Sequence, residues 1–304
     1  MEISLDRVGE ARAVLIAGPT ASGKSAAALE LAEAAARRDR TAWIVNADSM
    51  QVYDALRILT ARPGPDEEAC VPHRLYGQVP ATIRYSVGIW MSDVAGVLAE
   101  ADMERALPIV VGGTGLYFKA LTEGLAAVPS IDTGVREHWA ARLASEGSEA
   151  LHAQLAARDG AAAAAIRPGD PQRILRALEV LDSTGRALSE WQGAQPAPLL
   201  PPSGTMRVVI EPERETLYRR IERRLDGMVE QGALEEVRAV LDLNLAADLP
   251  VLRAIGVREF AAVLQGATTL LEALERAKME TRRYAKRQLT WFRNQMRGWP
   301  RVGG

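Results

Sequence analysis

A chain of 304 residues with a formal net charge of -2 is long enough for one large domain with an insertion, or for two unequal domains, and has no global positive excess announcing a nucleic-acid partner. The single cysteine, Cys70, excludes an internal disulfide, and His73, His138 and His152 lack metal-ligand spacing. No stretch approaches the roughly 20 apolar residues of a membrane span, and the apolar run Val14 to Ala17 is too short for a leader, so a cytoplasmic protein without a membrane partner is expected.

The run "AVLIAG" stops at a glycine, and "KSAAALELAEAAARR" reads as a helix of strong formers. Between them lies "GPTASGKS", Gly18 to Ser25, the pattern G-x-x-x-x-G-K-[ST]. Its backbone N–H groups cradle phosphates, Lys24 reaches the outer phosphates and Ser25 is placed to hold Mg²⁺. The motif specifies an anion without specifying a reaction. Two further apolar runs, "AWIVNADS" and "LPIVVGGTG", end in small or polar residues, with a helix expected over "SDVAGVLAEADMERAL" between them. Buried strands alternating with helices predict an α/β fold, a P-loop NTPase-like doubly wound parallel sheet with ligands outside the carboxyl ends of its strands.

From about Asp132 to Trp191 the chain turns Ala-rich and charge-laced without strand candidates, which predicts a helical insertion over 129–197 within a core of 1–128 and 198–304. The connector "QPAPLLPPSG" leads back to a strand, "MRVVI", and everything after that strand reads as helical.

Asp48, at the end of the second apolar run, is open to three roles: a helix N-cap, a Mg²⁺-binding acid, or a general base. Ser49 and Gln51 beside it offer hydroxyl and amide groups to a base edge. In "GGTGLY" the glycines allow close backbone approach to a ligand and Thr114 offers a hydroxyl to a phosphate or sugar, with a plain tight turn as the alternative. In "ETLYRRIERRLDGM", Leu217, Ile221, Leu225 and Met228 form an apolar stripe that contains Arg224, with Arg220 at its edge and Arg219 and Arg223 pointing away. A guanidinium facing a core needs an anion, either a structural carboxylate or a bound phosphate. In "DPQRILRALEVL", Asp170 and Pro171 open a helix whose buried face holds Ile174, Leu178 and Leu181, while Gln172, Arg173 and Arg176 project onto a solvated or phosphate-contacting face. From Arg276 to Arg301 the charged residues are basic except Glu280, and Ala285, Leu289, Phe292 and Met296 make a packing stripe there. That tail suits a nucleic-acid backbone or a simple surface helix.

With the loop, "DSMQVY", "GGTGLY", "RILRALEV", "RAIGVREF" and "TRRYAKRQLTWFRN" in this order, the chain resembles the bacterial tRNA dimethylallyltransferases from residue 18 to residue 294. The resemblance implies transfer of a dimethylallyl group from dimethylallyl diphosphate to the exocyclic N6 amine of the adenosine 3′-adjacent to the anticodon of tRNA. Pyrophosphate leaves, and Mg²⁺ is required. It implies Asp48 as the base, with Thr114 and Arg224 in the catalytic set. Gly18, Pro19, Thr20, Ala21, Ser22, Gly23, Lys24, Ser25 and Arg220 would hold the diphosphate, and Ser25 the metal. Asp48, Ser49, Met50, Gln51, Thr114, Arg136, Gln172, Arg173, Ile174, Leu175, Arg176, Arg283, Lys286 and Arg287 would face the tRNA anticodon stem-loop. A monomer is expected. Departures from the family pattern are Arg62 in "TARP", Arg74 in "PHRL" and Trp90 in "YSVGIWMSDV". Two rival readings are a phosphate-loop kinase using ATP and a nucleotide-gated RNA-binding protein in which Asp48 is dispensable.

Overall fold

The computed structural model describes residues 11–193 and 196–303; the chain's first residues and Gln195, which opens the expected connector, lie outside it. Six parallel strands form one sheet in the order β3-β2-β4-β1-β5-β6: β1 (Ala13–Ala17), β2 (Ala42–Asn46), β3 (His73–Arg74), β4 (Leu107–Gly112), β5 (Thr205–Ile210) and β6 (Arg301–Val302). β1 is central, with Leu15 opposite Val110 on one side and Arg207 on the other. All five of its residues are buried, as the apolar run requires of a strand covered on both faces.

Alternate residues of β1 serve opposite layers, the period-two consequence of the pleat. Val14 and Ile16 pack with Ala28, Leu31 and Ala35 of α1 (Lys24–Ala36). Ala13, Leu15 and Ala17 pack in a cluster that includes Trp90 and Val94 of α3 (Val87–Met103) and Tyr117 and Phe118 of α4 (Gly115–Glu123), with Phe292. α3 starts five residues before the expected Ser92 because Ser86 caps it, accepting from the Ile89 N–H. A short helix, α2 (Pro65–Cys70), precedes β3.

The chain divides into two compact units, one comprising the segments up to Thr122 and from Leu199, the other Glu123–Pro198. The second unit is helical: α5 (Thr133–Arg158, bent at Gly147), α6 (Gly160–Ala165), α7 (Pro171–Thr184) and α8 (Leu188–Gly193). Its core gathers Trp139, Leu151, Leu155, Ile174 and Leu178, and the Trp139 indole N–H donates to Asp182 at 2.8 Å.

After β5 come α9 (Arg214–Glu230), α10 (Ala233–Asp242), a 3₁₀ turn at Pro250–Arg253, α11 (Val257–Leu264) and α12 (Leu270–Gln295). The expectation that everything beyond "MRVVI" is helical is corrected by β6, which pairs Val209 with Arg301. β3 is likewise absent from the sequence reading. Each of these edge strands has two residues, too few for any periodicity to register. No described helix is long and apolar enough to cross a membrane.

Candidate active site at the strand ends

Because the sheet is parallel, the segments following β1, β2 and β4 emerge at one end, and Gly18, Asp48 and Thr114 come together there. The β1–α1 loop closes on itself through Ser22 N–H to Pro19 O at 3.2 Å, and the Lys24 ammonium folds back onto the same carbonyl at 3.2 Å. Desolvation lowers the Lys24 pKa to about 8 from its usual 10.5, against an upward pull from Asp48; the neighbouring Arg224 adds to the lowering.

Two arginines of α9 reach the loop. Arg220 donates to Ser22 O at 3.1 Å, and Arg224 donates to the Thr20 hydroxyl. Arg224 sits among buried Leu217, Ile221, Leu225 and Met228, while Arg219 and Arg223 are exposed, the arrangement the stripe predicts. Its guanidinium is desolvated, which lowers its pKa, with Asp48 opposing the shift. Its Nε finds no hydrogen-bond partner and it makes no ion pair among the described residues. No carboxylate contacts Arg224 directly among the described residues, and Asp48 acts on it only through space.

Asp48 is held by its own strand end. Asn46, fully buried, accepts from the Asp48 N–H at 2.8 Å and donates back to Asp48 O at 2.9 Å and to Leu75 O at 3.1 Å. Asp48 Oδ1 accepts from Met50 N–H at 3.0 Å. Oδ2 accepts no hydrogen bond among the described residues, so one carboxylate oxygen remains for a ligand. Burial raises the pKa values of Tyr76, Tyr117 and Tyr284, and Asp48 adds to each, which places three phenols within its field. Trp90, unexplained in the sequence, lies beneath this shelf: its N–H donates to Asn46 O at 2.9 Å and its ring stacks on Tyr117 at 4.1 Å.

Thr114 stitches β4 to the Asp48 segment. Its N–H donates to Ala47 O at 3.1 Å, and its hydroxyl accepts from Ser49 N–H at 2.9 Å. The glycines before it were expected to admit a ligand, and here the structure corrects the reading. A Cβ on Gly112 would lie 2.1 Å from the Ala47 backbone, and one on Gly113 would lie 2.3 Å from Gln288 Nε2. The space they free is taken by protein. Gln51 is also committed, donating to Thr60 O and Ala61 O at 2.8 and 3.0 Å, so only its carbonyl oxygen remains for a base edge. Arg62 and Arg74 have structural partners: Arg62 donates to Tyr53 O, and Arg74 lies 4.3 Å over the Trp43 ring.

Gln288 of α12 is not among the candidates the sequence suggests. It is 6% exposed, accepts from Thr20 N–H at 2.9 Å and donates to Gly113 O at 2.9 Å. The available signal was a polar residue at position 288 of the packing stripe 281, 285, 288, 292. Several basic residues of the tail are neutralised: Lys278 by Asp226, Arg282 by Glu222, Arg283 by Glu280, and both Arg293 and Arg301 by Glu211. Lys286 and Arg287 are exposed without an ion pair among the described residues, Arg287 lying 5.7 Å from the Tyr284 ring.

Within the second unit, Gln172 and Arg173 are exposed, and burial raises the pKa of Glu179 against the opposing pull of Arg136 and Arg176. Leu175 is half-buried. Ile174 is fully buried in the core of the unit, which removes its side chain from the set available to RNA.

A family profile described as IPP transferase matches residues 51–295. A tRNA dimethylallyltransferase of Chelativorans sp. (strain BNC1) is 54% identical over 284 residues, covering 93% of this chain and 96% of the relative. The crystal structure of the full-length tRNA isopentenylpyrophosphate transferase from Bacillus halodurans superposes with a TM-score of 0.66 at 35% identity, covering 96% of this chain and 89% of that one. A eukaryotic dimethylallyltransferase described as acting on tRNA gives a TM-score of 0.77 at 28% identity, covering 92% and 69%. With the phosphate loop, the Asp48 shelf and the α9 arginines at one sheet end, and with matches of this extent, the chain belongs to the IPP transferase family.

Proposed function

We propose that the protein transfers a dimethylallyl group from dimethylallyl diphosphate to N6 of the adenosine 3′-adjacent to the anticodon in tRNA, releasing pyrophosphate. The observation that carries this reading is the charge pattern at the strand ends. Two desolvated cations, Lys24 and Arg224, make no ion pair among the described residues and feel Asp48 only at a distance. A diphosphate supplies their counter-charge and leaves the open Asp48 oxygen for a proton.

The chemistry follows from these residues. An adenine amine is a weak nucleophile because its lone pair is delocalised into the ring. As the new N–C bond forms and the C–O bond to the diphosphate breaks, Asp48 accepts the amine proton. Lys24, Arg224 and the loop N–H groups receive the charge that grows on the departing pyrophosphate, while Arg220 and Gln288 hold the loop. The target adenine must leave its stack to reach the shelf, so recognition reads loop shape and an unstacked base. Lys286, Arg287, Gln172, Arg173 and Arg136 are the side chains proposed for the RNA phosphates.

Magnesium fits as a cation carried by the phosphates. Ser25 offers one exposed hydroxyl at the start of α1, and among the described residues no cluster of His, Cys, Asp or Glu would hold a cation alone. When bound, it supplies Lewis-acid stabilisation of the leaving group.

The direct test is transfer of label from radioactive dimethylallyl diphosphate to unmodified tRNA with Mg²⁺ and without ATP. Label on the RNA is expected. A folded protein that leaves several suitable tRNAs unlabelled yet consumes ATP would replace this reading with the kinase one.

Lys24 gives a pH prediction. The diphosphate binds the ammonium form, which is present below about pH 8 in the free protein and lost as pH rises through that value. Affinity for dimethylallyl diphosphate should therefore fall by about tenfold per unit above pH 8, until the bound-state pKa is passed. Calorimetric titration across this range reads the slope. Lys24→Met should bind weakly with no such slope, and a slope that survives in that variant would assign the proton elsewhere.

A further inference from the structure

We propose that Gln288 is a positioning residue that sets the phosphate loop against the Asp48 shelf, a role that rests on the prenyl-transfer reading above. Thr20 is fixed from two helices: its N–H by Gln288 of α12, and its hydroxyl by Arg224 of α9. The same Gln288 carboxamide turns its N–H toward Gly113 O at the end of β4, next to the residue that stitches down Ser49. A methyl group on Gly113 would lie 2.3 Å from Gln288 Nε2 and 3.3 Å from Asp48 Oδ2, so amide and carboxylate flank the same glycine. One side chain thus spans the two walls between which the diphosphate and the accepting carboxylate must be aligned.

A buried glutamine that only satisfied a core would contribute to stability and leave the chemistry alone. Gln288 instead uses both ends of its amide, one on the loop proposed to hold the diphosphate and the other on the β4 turn, to which the Asp48 segment is tied through Thr114. Few other side chains can do this. Glutamate keeps an acceptor for Thr20 N–H but turns an oxygen toward Gly113 O, and leucine loses both bonds while keeping most of the volume. The alignment of the loop with Asp48 is a matter of fractions of an ångström, and catalysis is sensitive to displacements of that size.

The test is a double-mutant cycle on the full-length chain, with Gln288→Leu and Gly113→Ala measured singly and together. Gly113 is not among the residues with positive φ, so alanine there strains no backbone; its methyl collides with the amide at 2.3 Å and presses more lightly on Asp48 Oδ2 at 3.3 Å, and the double-mutant cycle reports the part that runs through the amide. Each single variant should lower kcat by roughly 10- to 100-fold and raise KM for dimethylallyl diphosphate, with KM for tRNA within about twofold of wild type. The double variant should lose little more than either single one, because both remove the same alignment. If Gln288→Leu does not fold, Gln288→Glu takes its place in the cycle with the same expectation. Lowered melting temperature with wild-type kcat per folded molecule, or losses that multiply in the double variant, would overturn the proposal. A wild-type protein that transfers no dimethylallyl group would instead remove the prenyl-transfer reading, so the two failures are distinguishable.

Discussion

Asp48→Asn should lower kcat by about 10²- to 10⁴-fold, the usual worth of a positioned general base, while leaving tRNA affinity near wild type. The asparagine is chosen because its carbonyl oxygen still accepts from Met50 N–H, as Asp48 Oδ1 does at 3.0 Å, and the backbone clamp from Asn46 does not involve the carboxylate. What is lost is the open oxygen and its charge. The charge has a second consequence: Asp48 pulls the Lys24 pKa upward against desolvation. Without it, Lys24 should release its proton below the wild-type value of about 8, and the pH at which dimethylallyl diphosphate affinity begins to fall should move lower. Single-turnover kinetics with both substrates saturating measure the first effect, and calorimetry the second. Turnover within threefold of wild type would remove Asp48 as proton acceptor, and an unmoved pH slope would show that its field does not reach Lys24 in solution.

The contrast between what the sequence discloses and what it hides follows from how many residues carry each signal. β1, the phosphate loop and α1 are legible because an apolar run, a fixed eight-residue pattern and strong helix formers agree over some twenty consecutive positions. The inward course of Arg224 is legible for a similar reason: four apolar residues define the face on which it falls. Gln288 obeys the same periodicity but is inconspicuous among basic neighbours, since its partners, Thr20 and Gly113, are 268 and 175 residues away. Asn46 was hidden by a neighbour with more obvious chemistry, although a polar residue closing a fully buried strand is itself a signal. The glycines of "GGTGLY" mark close approach, but the approaching groups are protein where the sequence suggests a ligand: Ala47 meets Gly112, Gln288 meets Gly113, and Trp291 meets Gly115. Trp90 looked misplaced because the sequence cannot show that its N–H reaches Asn46 O across 44 residues.

Arg224→Met should weaken dimethylallyl diphosphate binding by about 10- to 150-fold, the equivalent of one charge-assisted hydrogen bond worth roughly 1.5–3 kcal/mol, while leaving the free protein as stable as wild type or more so. The two directions come from one observation. In the free protein the Arg224 guanidinium is desolvated, holds only the Thr20 hydroxyl, leaves its Nε without a partner among the described residues, and meets no carboxylate in an ion pair. Such a group costs folding free energy, and a methionine packed among Leu217, Ile221, Leu225 and Met228 relieves that cost. The diphosphate is what makes the cation favourable, and more so as pyrophosphate departs, so kcat/KM should fall further than affinity does. Arg224→Lys should recover only part of the loss, because an ammonium replaces the fork by a single point charge and cannot hold Thr20 and a phosphate oxygen in the same plane. Denaturant unfolding of the free proteins, beside calorimetric titration with dimethylallyl diphosphate, separates the two effects. A variant several kilocalories less stable that binds the diphosphate normally would make Arg224 a structural arginine; the opposite pairing, stability kept and affinity lost, identifies a side chain retained for the ligand at the expense of the fold.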